Sequence, residues 1–274
     1  MRLDLQTKSP SYWNQESGSR SETTMPPEPN LHSRPPVHRL LSSLSWLGSF
    51  LLLLLAGQGC GYRQFERAFA RGVDAMRGQD YDLAIAAFSE VIQLKPKYTL
   101  AYYNRGLVYE LKGDWDRAIA DYNEAIRRNP GFADAYYGRG LAYRHKGDWG
   151  RALADYNEVI RLKPDFAQAY INLSWLLAVC PDANLRNGMK AVGYAKIACK
   201  LSGWKIPVYF NALAVAYAEA GNFDDAVKWE TKYFESDYLK SHPSIDTPEN
   251  ARQRLSLFEQ KKPYHEENPS PSGS

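Results

Sequence analysis

The side chains able to do covalent or metal chemistry are few and scattered. Cys60, Cys180 and Cys199 are the three cysteines of the 274-residue chain, too few and too widely spaced for a disulfide framework or a zinc site, which needs closely spaced donor pairs. A nucleophilic cysteine or serine needs a base within hydrogen-bond reach and a third group to orient that base. Neither Cys180 nor Cys199 has a histidine nearby in sequence, and both are expected to pack as small apolar side chains. The sequence holds no glycine-rich phosphate loop and no paired-histidine metal motif. The expectation is therefore no catalytic residue, no metal, no cofactor and no small-molecule substrate.

Charge narrows the function classes further. The 34 Lys and Arg stand against 31 Asp and Glu, a net charge of +3 with both signs mixed along the chain, so nucleic acid is not an expected partner. The 19 Tyr and 7 Trp are conspicuous. Large amphipathic rings suit interlocking helices and protein-binding surfaces alike.

The elements that carry these residues follow a fixed period. Residues 99–132 and 133–166 align without gaps at an offset of 34 and agree at 22 of 34 positions, including Lys112-Gly113-Asp114-Trp115 against Lys146-Gly147-Asp148-Trp149. One unit carries Tyr102, Arg105, Gly106, Tyr109, Ala118, Tyr122 and Pro130; the next carries Tyr136, Arg139, Gly140, Tyr143, Ala152, Tyr156 and Pro164. An earlier unit from about Phe65 to Tyr98 follows with Ala68, Arg71, Gly72, Ala75, Ala84, Phe88 and Pro96. The spacing has a physical reading: Gly106 lets two helices approach against Ala118, and flanking tyrosines fill the remaining volume. Gly113 and Gly147 suit the inter-helix turn, Asp114 and Asp148 suit N-caps, and the prolines end each unit.

These residues resemble the tetratricopeptide-repeat (TPR) pattern, with Arg in place of the commoner Leu before the glycine. The resemblance implies an all-α, right-handed TPR α-solenoid of about five helix pairs with a C-terminal capping helix. Repeats are expected at 65–98, 99–132 and 133–166, with divergent units at 167–206 and 207–238. The fourth has a lengthened turn from Pro181 to Lys190. Cys180-Pro181-Asp182 and Ser202-Gly203-Trp204 look like a divergent pair found at the end of some bacterial TPR proteins. A helix within 246–260 is expected to cap the stack, with Thr247 as N-cap and Ala251, Leu255 and Phe258 on one face. The tail, 261–274, reads as disordered.

The resemblance also supplies a candidate site, since TPR stacks present the first helix of each pair, helix A, on a concave groove. Transferred by position, the groove comprises Phe69, Val73 and Met76; Tyr103, Asn104, Leu107 and Glu110; Tyr137, Leu141, Arg144 and His145; then Asn172, Trp175, Asn211 and Val215. Its mixed character suits a peptide or partner protein held by apolar anchors. The carboxylate clamp of chaperone-tail-binding TPRs is not expected, because Phe69, Val73 and Gly138 stand where Lys, Asn and Arg are wanted.

The N-terminal part is of a different kind. Residues 1–39 read as a disordered segment and signal n-region, with Met1 and Met25 both open as starts, and 40–60 as a hydrophobic signal or anchor. The ending Leu55-Ala56-Gly57-Gln58-Gly59-Cys60 resembles the bacterial lipoprotein signal with two residues interposed. Lipid attachment at Cys60, an uncleaved anchor, and cleavage after Gly59 all remain open. The expected role is a non-enzymatic interaction scaffold, exported and membrane-attached in a bacterial envelope. The alternative is an accessory or regulatory subunit of a TPR-linked enzyme such as a kinase or glycosyltransferase.

Overall fold

Two kinds of helix start alternate along the chain, and they set its architecture. A computed structural model describes residues 63–242 and 246–266. The described helices are α1 (63–77), α2 (Tyr81–Leu94), α3 (Thr99–Leu111), α4 (Trp115–Arg128), α5 (Ala133–His145), α6 (Trp149–Leu162), α7 (Ala167–Val179), α8 (Gly188–Leu201), α9 (Val208–Glu219), α10 (Phe223–Phe234), α11 (Asp237–Ser241) and α12 (Pro248–Glu259). The even-numbered helices α2 to α10 open on Asp80, Asp114, Asp148, Asn187 and Asn222, whose side chains each accept a backbone N–H of the first turn. Helices α3, α5 and α7 open instead on Tyr98, Phe132 and Phe166 with no side-chain cap. Those rings are used for packing. Tyr98 meets Phe69 edge-on at 5.7 Å, Phe132 meets Tyr103 at 4.9 Å and Phe166 meets Tyr137 at 5.0 Å, one interlock per 34-residue period.

From α2 to α10 each helix packs on the next, α3 touches α5, α7 touches α9 and Asn172 of α7 reaches Tyr137 of α5, so α3, α5, α7 and α9 form one layer. Within a pair the expected small-against-large fit holds. A Cβ built on Gly106 would lie 3.0 Å from the ring of Tyr122, and one on Gly140 2.7 Å from the ring of Tyr156, both rings being fully buried. The turns behave as the sequence suggests. Gly113 and Gly147 have φ of 77° and 75°, and the backbone N–H groups of Gly113 and Asp114 are donated to Glu110 and Tyr109. In the first pair the same place is taken by Gln79 at φ 61°, a conformation that costs a residue with a Cβ.

The arginine that distinguishes these repeats ties them together. Arg105 donates to both carboxylate oxygens of Asp121 at 2.7 Å and to Ser89 Oγ at 2.9 Å. Arg139 repeats this with Asp155 at 2.9 and 2.7 Å and with Asn123 Oδ1 at 2.6 Å. Each guanidinium thus joins the second helix of its own pair, helix B, to helix B of the pair before, through a planar fork that a leucine cannot supply. In the first repeat Ala87 holds the place of the aspartate, and Arg71 pairs with Glu90 instead.

Regularity ends after α6. The α7–α8 connection runs from Cys180 to Asn187, where Lys112-Gly113-Asp114 suffices between α3 and α4. The longer loop is pinned by Arg186, which donates to Cys180 O at 2.8 Å and Glu219 at 3.1 Å. At the far end α12 covers α10. Its inner face holds Ala251 and Phe258 as expected, but Arg254 and not Leu255 is the third buried residue. Arg254 donates to Glu230 at 2.9 Å and pairs with Asp246, while Asn211 donates to Glu230 at 3.0 Å. A buried charge cluster therefore closes the solenoid where an apolar seam was expected. Burial pushes the Glu230 carboxyl up to about 7 against the opposing pull of Arg254 and Asn211.

Candidate functional site

The candidate groove residues all lie on α1, α3, α5, α7 and α9, the layer of A helices. Most of them face inward. Val73 packs with Ala84 and Phe88; Tyr103 and Leu107 belong to the cluster around Tyr122; Tyr137 belongs to the cluster around Tyr156. Asn104 is buried, and Asn172 is buried with its amide donating to Tyr137 Oη at 3.0 Å. Glu110 accepts a 2.6 Å hydrogen bond from Tyr122, and burial together with that carboxylate raises the tyrosine pKa far above its usual range. One period later Arg144, also buried, stands where Glu110 does.

Two positions need outright correction. Asn211 and Val215 are completely buried on α9, the first held by Glu230, and neither presents surface to a ligand. The sequence pattern missed this because α9 is covered on several sides, by α7, α8 and α10. The more accessible members are Phe69, Met76, Leu141 and His145, all part-buried. His145 lies flat on Trp115 with ring centroids 4.2 Å apart. At Gly138 a Cβ would stand 2.6 Å from the Tyr122 ring.

Trp175 leads to a feature the sequence did not suggest. The indole N–H donates to Glu266 Oε1 at 2.7 Å, and the ring lies 6.3 Å from that of Tyr264. The Glu266 backbone N–H donates to Val179 O at 2.9 Å, and His265 Nε2 lies 2.7 Å from Glu219 Oε2. Residues 262–266, expected to be disordered, are instead irregular chain seated against α7 and α9. No local signal marks this segment, since its partners are 46 to 91 residues away.

Cys180 and Cys199 are buried free thiols, and burial raises both, Cys199 to about 11. They are poor nucleophiles in that state. Among the described residues no His, Cys, Asp and Glu group is arranged to hold a metal ion. No described helix is long and apolar enough to cross a membrane. Cys60, the 40–60 segment and residues 1–39 lie outside the described residues.

Comparison with known proteins agrees with this geometry. The tetratricopeptide-repeat family model matches residues 69–130 and 112–167. Curated protein sequences give no match. Among solved structures, a tetratricopeptide repeat protein from Parabacteroides merdae is similar at a TM-score of 0.60 and 17% identity, covering 73% of this chain and 75% of that one. MamA is similar at 0.55 and 21%, covering 65% and 94%. YrrB, described as a TPR protein with an unusual peptide-binding site, is similar at 0.52 and 18%, covering 61% and 84%. The repeat match is confined to residues 69–167, and the fold is a TPR-like α-solenoid.

Proposed function

We propose that this chain is a non-enzymatic scaffold that binds an extended peptide or a partner protein along its A-helix face. The observation that carries the reading is the seating of residues 262–266 on α7 and α9 through backbone and side-chain hydrogen bonds. A face that holds one such segment has the donors and acceptors to hold another. The peptide-binding site for which YrrB is described supports the same use of this architecture. The part-buried Phe69, Met76, Leu141 and His145 supply contacts nearer the N-terminus.

The scaffold is held at a membrane by its N-terminus in this reading. The apolar run at 40–60 and Cys60 support it, with lipid on Cys60 as the means of attachment and a bacterial envelope as the place. The binding test is affinity capture with tagged full-length chain from membranes, comparing Leu141→Asp on α5 with Leu83→Asp on the exposed face of α2. Loss of captured protein with the first alone supports the A-helix face; equal capture by both refutes it. For attachment, Cys60→Ser is expected to release the chain from the membrane fraction and alter its mature mass, and unchanged retention and mass would exclude lipidation.

A further inference from the structure

The segment on α7 and α9 alternates in what it touches. Tyr264 and Glu266 both turn toward Trp175, one by its ring and one by its carboxylate. His265, between them, turns the other way to Glu219. Successive side chains are thus read by different helices, the alternation that an extended ligand presents. The receiving groups are fixed beforehand. Glu219 is held by Arg186, which also ties down the α7–α8 loop through Cys180 O, and Trp175 is 95% buried, with 5% relative exposure. Val179 O is free to accept because α7 ends there, so its carbonyl lacks a partner one turn further along the helix.

We propose that α7 and α9 form a peptide subsite reading an aromatic residue, a hydrogen-bond-donating residue and a carboxylate in succession, and that the chain's own Tyr264-His265-Glu266 occupies it as an internal competitor. The inference rests on the A-helix reading above and gives it a ligand chemistry. Each position has its own recognition element: ring contact at Trp175, acceptance by Glu219, and donation from the indole N–H to a carboxylate. The backbone bond to Val179 O fixes register without regard to sequence. An external ligand with this pattern must displace a segment tethered directly behind α12, whose closeness keeps the local concentration high. Access to the subsite is thereby limited to ligands that match the pattern better or are present in excess.

The test uses full-length chain and a fluorophore-labelled, C-terminally amidated peptide of sequence Lys-Lys-Pro-Tyr-His-Glu, with binding read by anisotropy. A chain carrying Tyr264→Ala and Glu266→Ala, its subsite vacated, is expected to bind this peptide at least about tenfold more tightly than the unaltered chain. Adding Trp175→Phe, which keeps a ring and removes the donor, is expected to weaken binding about tenfold. Glu219→Gln in the vacated chain provides a second variant and is expected to weaken it as well. Far-UV circular dichroism identifies any variant that has failed to fold. Equal binding by vacated and unaltered chains, or indifference to both Trp175→Phe and Glu219→Gln in folded protein, would overturn the proposal. So would sedimentation showing that the tail is exchanged between two copies. Leu141→Asp separates this from the wider reading: partner capture that depends on Leu141 while the tail peptide fails to bind sinks the subsite alone.

Discussion

The arginine fork offers a quantitative test of how the repeats hold together. Arg139→Leu removes the only cation hydrogen-bonded to Asp155 among the described contacts. The Asp155 side chain is 6% exposed and that of Arg139 19%. Removing one partner of a buried pair costs roughly 3–5 kcal/mol, because the other charge is left without compensation. Partial exposure of the guanidinium places the expectation at the lower end, about 3 kcal/mol. Burial already raises the Asp155 carboxyl above its ordinary pKa while Arg139 pulls it down, so losing the arginine drives that aspartate toward the neutral form. The double variant Arg139→Leu with Asp155→Leu removes both charges and is expected to lie within about 1 kcal/mol of the parent. Urea denaturation followed by circular dichroism measures all the variants, and the thermal midpoint should fall by roughly 6–12 °C in the single variant. A loss under about 1 kcal/mol for Arg139→Leu, or a double variant as unstable as the sum of the singles, would refute a buried, coupled pair.

Further expectations follow from the turns, caps and end of the solenoid. Gln79→Gly should stabilise the first repeat by about 1 kcal/mol in denaturant titration, since Gly113 and Gly147 hold the same positive φ. Gly138→Ala should destabilise by about 1–3 kcal/mol through its clash with Tyr122, while Gly193→Ala, with nothing within 4 Å, should stabilise α8 by about 1 kcal/mol. Asp114 and Asp148 are held below the ordinary 3.8 chiefly by side-chain hydrogen bonds from Arg117 and Arg151. Their folded pKa values being depressed, the stability they confer is present above about pH 4 and is lost as pH falls through the folded values. Asp114→Asn with Asp148→Asn keeps the caps and should flatten that acid limb in pH-dependent melts. Arg254→Ala leaves Glu230 and Asp246 buried without their cation, and should open α12 to hydrogen exchange before the central repeats.

The regular part of the fold was readable because period and local chemistry agree. Asp114 and Asp148 cap, Gly113 and Gly147 turn, and Gly106 and Gly140 admit Tyr122 and Tyr156, each through contacts within one helix pair. What escaped detection depends on partners far along the chain. Tyr103 and Tyr137 sit where a groove residue would in sequence, yet Phe132 and Phe166 of the next entry turn cover them. Leu255 was expected on the inner face of α12, but Glu230 and Asp246, distant in sequence from each other, draw Arg254 there instead. The polar composition of the tail suggested disorder, but Glu266 finds Trp175 and Val179 across the solenoid. The position of Arg before Gly was legible as a variant; its role as a fork between two B helices was not, because Asp155 and Asn123 approach from different repeats.

Site-specific photo-crosslinking tests the proposed binding face most directly. A photoreactive residue at Leu141 or Met76 on the A helices would be compared with one at Leu83 or Met189, both exposed on B helices. The account predicts that partner protein is captured from positions 141 and 76 and not from 83 or 189. Capture confined to positions 83 and 189 would contradict it.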